Sequence, residues 1–258
     1  MAKATTKKPA AASASAGSRI SLRGELSLGA LVAELLGSAV LAFGALTTAN
    51  NPILAALAVL IAVLMFAEVS GAYINPVVVV SAWALKQLSW VKAVGYIVVQ
   101  VLGAMLAYVI VAKFMKDNSV FTLFSPADQV QSAAQSYGGA QNIPEGALRI
   151  PGEWKPIFGE FVGAVVFSFG IASALLGKKV GFERAFTIGG ALLLGLIAAL
   201  AGSYGVLNPA VATSLSAFAQ GGWWSIGAYA IAPLVGAAAG ALLYKLLKQD
   251  VEATAKKA

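Results

Sequence analysis

The sequence predicts an all-α membrane protein with six transmembrane helices and two re-entrant half-helices, arranged as an inverted repeat. Three observations lead to this fold class. Hydrophobic residues make up 59% of the chain and charged residues only 11%, which is too apolar a surface for water to solvate. Six apolar runs approach the ~20 residues needed to cross a hydrocarbon core. The same dipeptide, Asn-Pro, introduces a short apolar stretch in each half of the chain.

The six apolar runs define the domain organisation. They predict membrane spans at 29–49, 53–69, 91–113, 156–176, 185–201 and 223–247. The N-terminal segment is rich in Ala, Ser and Lys and the C-terminal one is polar and charged, so we interpret both as tails, of which the first cannot bury a core. The predicted units are a disordered basic cytoplasmic tail at 1–24, a membrane domain at 25–248 and a cytoplasmic C-terminal tail at 249–258. The membrane domain divides into repeat one at about 29–113, an external loop at 114–155 and repeat two at about 156–247.

Two further apolar stretches, at 76–86 and 209–219, are too short to span. They are introduced within "INPVVVVSAWA" (74–84) and "LNPAVATSLSA" (207–217), and ~11 helical residues extend only ~16 Å. Asn is a good N-cap, and Pro is well tolerated in the first helical turn because its missing N–H would be unpaired there anyway. Each stretch is therefore predicted to be a half-helix that begins at an Asn-Pro inside the membrane.

The two halves of the chain repeat each other. Asn75 and Asn208 are 133 positions apart, as are Gly103 and Gly236. Three spans per half is an odd number, so the two copies must cross the membrane in opposite directions. Such inverted repeats are typical of membrane transport proteins, in which broken helices meet near the midplane.

Charge and composition narrow the function. The net charge of +7 lies in short segments between the spans, which indicates topology and not a nucleic-acid surface. Under the positive-inside bias both termini are cytoplasmic, and we expect a plasma membrane, of bacterial type. The chain contains no Cys and no His. Disulfides, thiolate chemistry, the commonest general base and the commonest metal ligand are therefore missing, so we expect neither an enzyme nor a metal or cofactor site.

The predicted meeting of two half-helix N-termini has an electrostatic consequence. Each N-terminus carries roughly half a positive charge, so two of them repel a cation at the centre of a pathway. A neutral molecule with a lone pair can instead accept hydrogen bonds from the side-chain amides of Asn75 and Asn208. This arrangement favours a passage for uncharged molecules.

The pattern resembles the aquaporin and aquaglyceroporin (major intrinsic protein) family. The resemblance covers about residues 29–247, and its most specific parts are "SGAYINPVVVV" and "GVLNPAVATS", which look like the family's two Asn-Pro-Ala boxes. Paired boxes in an inverted repeat are a far stronger signal than one Asn-Pro. The resemblance implies a passive channel in the lipid bilayer for water or small uncharged solutes such as glycerol, with one pore per subunit and a homotetramer.

The resemblance also implies roles for individual residues. It places Asn75, Pro76, Asn208 and Pro209 at the pore centre. It also implies that the backbone carbonyls of six residues form a ladder of acceptors: Gly71, Ala72, Tyr73, Tyr204, Gly205 and Val206. Glu34 and Glu160 match the family's buried glutamates, which brace the re-entrant loops.

The outer constriction departs from the family pattern. Val211 stands three residues after Asn208, where the family has an arginine that narrows the pore and repels cations. The other filter positions are expected at Ala55, Leu196 and Gly205. The filter is thus predicted to be unusually apolar, without a fixed charge. An apolar constriction offers no hydrogen bonds to replace those that a solute loses, each worth about 1 kcal/mol.

Other functions are compatible with the sequence. One is an ion-conducting channel or a secondary transporter on a similar inverted repeat, although coupling normally needs midplane carboxylates or His, and these are scarce. Glu68, near the end of the second run, is either a solvated or paired side chain or a gate or cation site. Another is a non-conducting homologue whose apolar filter closes the pore.

Overall fold

The fold is helical throughout the described residues. A computed structural model describes residues 26–114, 154–219 and 222–257, and within them it contains no strand. The predicted tail at 1–24 and nearly all of the predicted loop at 114–155 lie outside the described residues. The helices are α1 (Leu28–Thr47), α2 (Pro52–Ser70), α3 (Pro76–Ala84), α4 (Trp90–Phe114), α5 (Trp154–Leu176), α6 (Gly181–Ala199), α7 (Pro209–Ser214), α8 (Gly222–Ile226) and α9 (Ala232–Ala255). A 3₁₀ turn covers Ala217–Ala219, and a π-helix, Gly227–Ile231, joins α8 to α9.

Six helical segments are long and apolar enough to cross a membrane, which confirms the six predicted spans. They are α1, α2, α4, α5, α6 and the continuous stretch Trp223–Ala255. The last of these runs well into the segment predicted as a C-terminal tail. α6 begins at Gly181, earlier than predicted, and the residue before it, Val180, has an extended backbone.

The two half-helices begin at their Asn-Pro dipeptides as predicted. The Oδ1 atom of Asn75 accepts from the N–H of Val77 at 2.8 Å, and Asn208 accepts from the N–H groups of Ala210 and Val211 at 3.1 and 3.2 Å. These bonds satisfy backbone donors at the start of α3 and α7, where the helix itself provides no acceptor.

The second half-helix is shorter than predicted, since α7 ends at Ser214 and not near 219. Its last hydroxyls bond back to the chain, Thr213 to the Ala210 carbonyl at 2.6 Å and Ser214 to the Val211 carbonyl at 2.8 Å. Such bonds compete with helix continuation. Ser216 then adopts a left-handed φ of 54°, which ends the helix.

The order of the helices defines two membrane faces. α1 ends and α2 begins beside Asn50, and we call this the Asn50 face. α2 ends and α6 begins beside Arg184, and we call this the Arg184 face. α3 runs from the centre to the Arg184 face, and α7 runs from the centre to the Asn50 face. The structure therefore has the inverted arrangement that the sequence predicted.

Glycines allow the long helices to approach closely. A Cβ added at Gly103 of α4 would lie 2.1 Å from the Leu35 carbonyl oxygen of α1, and one at Gly240 of α9 would lie 2.2 Å from the Val165 carbonyl oxygen of α5. Small residues at helix contacts are the main packing device in membranes, where lipid is as apolar as Leu. The packing pairs α1 with α4, and α5 with both α6 and α9.

The last span contains a π-helix for a local reason. Pro233 lies in the first turn of α9 and has no N–H to donate to the carbonyl four residues earlier, at Tyr229. The helix widens at Gly227–Ile231, immediately before this proline. π-segments of this kind occur as single-turn bulges within α-helices.

Candidate functional site

The two half-helices bring Asn75 and Asn208 together in the interior. Both side chains are almost fully buried, with 2% and 6% of their surface exposed, and both line one cavity. The Nδ2 atom of Asn75 donates to the Leu207 carbonyl at 3.1 Å, so one of its two N–H groups is used by the protein. The Nδ2 atom of Asn208 donates no hydrogen bond to another described residue.

The cavity has a volume of about 180 Å³ and extends from the asparagine pair toward the Asn50 face. Most of its wall is apolar, with side chains from α1, α2 and α6. Its lining includes Leu41, Ala58, Val59, Leu192 and Val206. The polar side chains along it are Asn75, Asn208, Thr48 and Asn50.

Three of the four predicted filter positions line this cavity together: Ala55, Leu196 and Val211. The fourth, Gly205, is not part of the lining. Its carbonyl oxygen instead accepts a hydrogen bond from the Nδ2 atom of Asn50 at 2.9 Å. An amide therefore lies beside the positions that the sequence marked as apolar.

Asn50 was missed by the sequence reasoning, although a signal was present. Residues 50–52 read Asn-Asn-Pro, in which Asn51 is the N-cap of α2 and Pro52 its first residue. The dipeptide thus marks a helix start here too. Asn50 has a φ of 52°, a left-handed conformation that Asn adopts more readily than most residues.

The extended segments before the half-helices hold unusual backbone conformations. Ala72, Ile74 and Leu207 have φ values of 51°, 36° and 47°, although none of them is a glycine. Such conformations cost of order 1–3 kcal/mol each and persist only where the surroundings hold them. The two buried glutamates contact these segments.

Glu34 of α1 lies against the segment before α3 and is fully buried. Its carboxylate accepts from the Ser70 hydroxyl at 2.6 Å, from the N–H groups of Tyr73 and Ile74 at 2.9 and 2.5 Å, and from the Gln100 amide at 2.7 Å. Irregular backbone at membrane depth requires such partners because no lipid group can supply them.

Glu160 of α5 makes the corresponding contacts with the segment before α7. It is also fully buried and accepts from the Ser203 hydroxyl at 2.7 Å and from the N–H groups of Val206 and Leu207 at 2.9 and 2.8 Å. The two carboxylates thus bind equivalent donors in the two repeats.

Arg184 of α6 is a second residue that the sequence reasoning did not single out. Its Nη2 atom donates to the Gly71 carbonyl at 2.6 Å, so a cation lies beside the first predicted carbonyl of the ladder. Neither ion pair of the described residues includes Arg184, and its buried Nε atom has no hydrogen-bond partner among them. Glu68, by contrast, is exposed and outside the cavity.

No group of three or more His, Asp or Glu side chains within the described ranges could hold a metal ion. The polar side chains that line the cavity are all neutral, either amides or a hydroxyl. The cavity offers hydrogen bonds to a solute but no ionised side chain.

Comparison with known proteins identifies the family. The family model for the major intrinsic proteins matches residues 21–244. The chain belongs to the major intrinsic protein family. This confirms the predicted family and its fold, and it makes the chain a multi-pass membrane protein of a family of passive channels rather than enzymes.

Curated relatives include plant aquaporins. Aquaporin NIP3-1 from Zea mays is 29% identical over 206 residues, which cover 80% of this chain and 61% of the relative. Aquaporin NIP3-1 from Oryza sativa subsp. japonica is 28% identical over 80% of this chain and 59% of the relative. The chain thus spans about three-fifths of the length of these two relatives.

A solved structure has a similar fold. The aquaglyceroporin from Plasmodium falciparum superposes with a TM-score of 0.54, covering 84% of this chain and 93% of that one, at 20% sequence identity. At this identity the similarity concerns the fold of the chain, which has six spans and two half-helices.

Proposed function

We propose that this chain forms a passive transmembrane channel for water and/or small uncharged solutes such as glycerol. The observation that carries the proposal is the cavity that joins the asparagine pair to the Asn50 face. Its inner end is formed by Asn75 and Asn208, each at the N-terminus of a half-helix. A channel for neutral molecules needs a continuous path with hydrogen-bonding groups and an obstacle to ions, and this cavity supplies parts of both.

The centre of the cavity opposes cations. Each half-helix N-terminus carries roughly half a positive charge, and the two ends face each other with Pro76 and Pro209 as their first helical residues. The N–H groups of Asn75 and Asn208 that the protein does not use can donate to a passing oxygen. A neutral solute with lone pairs therefore passes where a cation is repelled.

The remaining site residues have supporting roles in this proposal. Ala55, Leu196 and Val211 form the apolar wall of the outer filter, and Gly205 adjoins it. Glu34 and Glu160 brace the segments that contain the carbonyl ladder. The carbonyls of Gly71, Ala72, Tyr73, Tyr204, Gly205 and Val206 would serve as acceptors. Two of them already bond a side chain, at Gly71 and Gly205, but a carbonyl oxygen has a second lone pair.

Basic side chains support a cytoplasmic Arg184 face. Short cytoplasmic segments carry an excess of Lys and Arg, and the described basic residues at or beyond this face outnumber those at the other. At the Arg184 face they are Lys86, Lys92, Lys178, Lys179, Arg184, Lys245, Lys248, Lys256 and Lys257, and at the Asn50 face Lys113 and Lys155. Both termini are then cytoplasmic and the Asn50 face is external. We further propose a plasma membrane and a homotetramer. The bacterial origin stays a prediction, since the curated relatives named above are plant proteins.

The proposal is tested by stopped-flow light scattering on proteoliposomes. Water and glycerol permeability are compared for the natural chain, Val211→Arg and the apolar control Val211→Leu. We expect solute flux above that of empty liposomes, suppressed by Val211→Arg because a guanidinium narrows the cavity, and largely retained in Val211→Leu. Flux of neither water nor glycerol above empty liposomes would contradict the channel function and favour a closed pore.

The same vesicles separate the channel from an ion-conducting protein or a secondary transporter. Coupling needs a carboxylate that is free to bind a proton or cation, and both buried glutamates are occupied by backbone and side-chain donors. We therefore expect solute flux to be independent of Na⁺ and proton gradients. Gradient-driven accumulation of solute inside the vesicles would instead support the transporter.

A further inference from the structure

The link between Asn50 and Gly205 joins two distant parts of the chain at the outer end of the cavity. Asn50 lies in the α1–α2 connection, and Gly205 lies in the extended segment before α7. The Nδ2 atom of Asn50 donates to the Gly205 carbonyl at 2.9 Å. The same side chain lines the cavity with Ala55, Leu196 and Val211, so it lies at the filter.

The backbone around Asn50 is held in place by local bonds. The Asn50 N–H donates to the Ala45 carbonyl at 2.8 Å, and the Asn51 N–H donates to the Thr48 carbonyl at 3.1 Å. The Thr48 hydroxyl donates to the Gly44 carbonyl at 2.7 Å. The amide of Asn50 is thus presented from a fixed connection, with its Nδ2 atom held by the Gly205 carbonyl.

The amide of Asn50 keeps unused hydrogen-bonding capacity. A side-chain amide has two N–H donors and a carbonyl oxygen with two lone pairs. Within the described residues only one of these donors is engaged, by Gly205. The second N–H and the Oδ1 atom are therefore available to a molecule in the cavity, where the neighbouring filter side chains of Ala55, Leu196 and Val211 offer only methyl and methylene groups.

We propose that Asn50 is the specificity-determining hydrogen-bonding residue of the outer filter, and that it selects small neutral solutes that carry hydroxyl groups on a carbon skeleton. The inference rests on the channel function proposed above. Asn50 donates to and accepts from the hydroxyls, while Ala55, Leu196 and Val211 contact the carbon skeleton. The filter has no cationic side chain, since Val211 stands at the position of the family's arginine. The uncharged amide of Asn50 therefore recognises the polar solute instead.

Leucine substitutions test the proposal with a matched control. Asn50→Leu keeps the branched shape and the number of side-chain heavy atoms but replaces the polar atoms by larger methyl groups. Asn51→Leu makes the same change at the neighbouring N-cap, which is not part of the cavity lining. Proteoliposome permeability is measured for water, glycerol and 1,2-propanediol, which lacks one glycerol hydroxyl. Elution profiles and thermal melting of the purified variants confirm that they are folded.

We expect Asn50→Leu to lower the ratio of glycerol to 1,2-propanediol permeability about tenfold, or about 1.4 kcal/mol, which matches one net hydrogen bond. Asn51→Leu should leave this ratio unchanged. An equal loss for all three molecules would overturn the proposal, since it would show that Asn50 only holds the Gly205 segment in place. An unchanged ratio in Asn50→Leu would overturn it as well.

Cysteine labelling gives a second measurement that does not depend on Asn50→Leu folding. The natural chain has no cysteine, so Asn50→Cys and Asn51→Cys each introduce one thiol. We expect a small water-soluble thiol reagent to modify Asn50→Cys and stop glycerol flux, while modification of Asn51→Cys leaves flux intact. Modified Asn50→Cys that still conducts would overturn the proposal.

The outcomes also separate this inference from the channel function. If the natural chain conducts and Val211→Arg suppresses the flux, but Asn50→Leu and labelled Asn50→Cys behave like their Asn51 controls, only the role of Asn50 fails. If the natural chain conducts nothing above empty liposomes, the channel function and the role of Asn50 fail together.

Discussion

The two inverted repeats share a frame, by which we mean the buried glutamate, the extended segment and the Asn-capped half-helix of each repeat. They differ in the side chains that contact this frame near the two membrane faces. In both repeats a buried glutamate binds a serine hydroxyl and two backbone N–H groups of the extended segment, through Glu34 in one repeat and Glu160 in the other. In both, an Asn caps a half-helix that begins with Pro. The frame is set by residues 133 or 126 positions apart in the chain.

The difference lies in the side chain that reaches across from the other repeat. At the Asn50 face a neutral amide donates to the Gly205 carbonyl at 2.9 Å, and at the Arg184 face a guanidinium donates to the Gly71 carbonyl at 2.6 Å. Each donor is positioned by the start of a long helix, α2 or α6. The repeated residues therefore build the frame, and the unrepeated donors give its two ends different charge.

Removing the buried glutamates should break the frame in both repeats and have the largest effect. Glu34→Ala leaves the N–H groups of Tyr73 and Ile74 without an acceptor, and each unsatisfied buried donor costs about 1–3 kcal/mol. We expect Glu34→Ala and Glu160→Ala each to lower the free energy of unfolding by about 3 kcal/mol or more, measured by thermal loss of the monodisperse elution peak. The control, Glu183→Ala, removes an exposed ion pair and should cost less than about 1 kcal/mol. An equally small effect at Glu34 would contradict the bracing role.

Filling the close helix contacts should destabilise both repeats by a smaller amount. Gly103→Ala and its repeat partner Gly236→Ala would place a Cβ 2.1 and 2.5 Å from the backbone oxygens of Leu35 and Phe161. Overpacking of this kind costs about 1–3 kcal/mol, and the rigid backbone neighbour cannot move aside. Gly190→Ala, with no atom within 4 Å of its added Cβ, should be near neutral in the same thermal assay. Helix propensity favours Ala over Gly in all three helices, so a similar loss in Gly190→Ala would contradict the packing explanation.

Neutralising the Arg184 end should remove the charge difference between the two faces. A cation ~8 Å from an unpaired guanidinium is repelled by about 2 kcal/mol at an effective dielectric constant of ~20. We therefore expect Arg184→Gln to raise K⁺ leak through proteoliposomes by on the order of tenfold, with glycerol flux changed less than about twofold. Lys179→Gln is the control, since Lys179 lies on the same face but contacts Thr187 and Glu183. An unchanged K⁺ leak would place the cation barrier at the half-helices alone.

The smallest predicted effect compares the tyrosines that the two repeats share. Tyr96 and Tyr229 are 133 positions apart, but the Tyr96 hydroxyl donates a long bond of 3.4 Å to the Ser70 carbonyl, and the buried Tyr229 hydroxyl has no partner among the described residues. We expect Tyr229→Phe to stabilise the protein by up to about 1 kcal/mol and Tyr96→Phe to destabilise it slightly. Thermal melting of both variants checks the sign. Destabilisation by Tyr229→Phe would show that this hydroxyl is hydrogen-bonded, either to the backbone of the neighbouring Tyr204 or to water.

Most of the fold could be predicted from the sequence because it depends on local patterns. Long apolar runs predict spans in any arrangement, and an Asn-Pro marks the start of a helix wherever it lies, at Asn51 as well as at Asn75 and Asn208. The end of α7 could not be predicted from the sequence. The hydrogen bonds from the Thr213 and Ser214 hydroxyls to preceding carbonyls compete with the helix only in the folded geometry. The π-helix before Pro233 likewise depends on how one helix accommodates a missing donor.

The sequence by itself determined the six spans, the inverted repeat and the half-helix starts. These follow from hydrophobicity, chain order and the backbone chemistry of Asn and Pro, which need no knowledge of distant contacts. Only the tertiary structure decided which polar groups reach the two extended segments, because Asn50 and Gly205 lie 155 positions apart and Arg184 and Gly71 lie 113 apart. No local pattern encodes a hydrogen bond between such positions, since it depends on how the two repeats pack against each other.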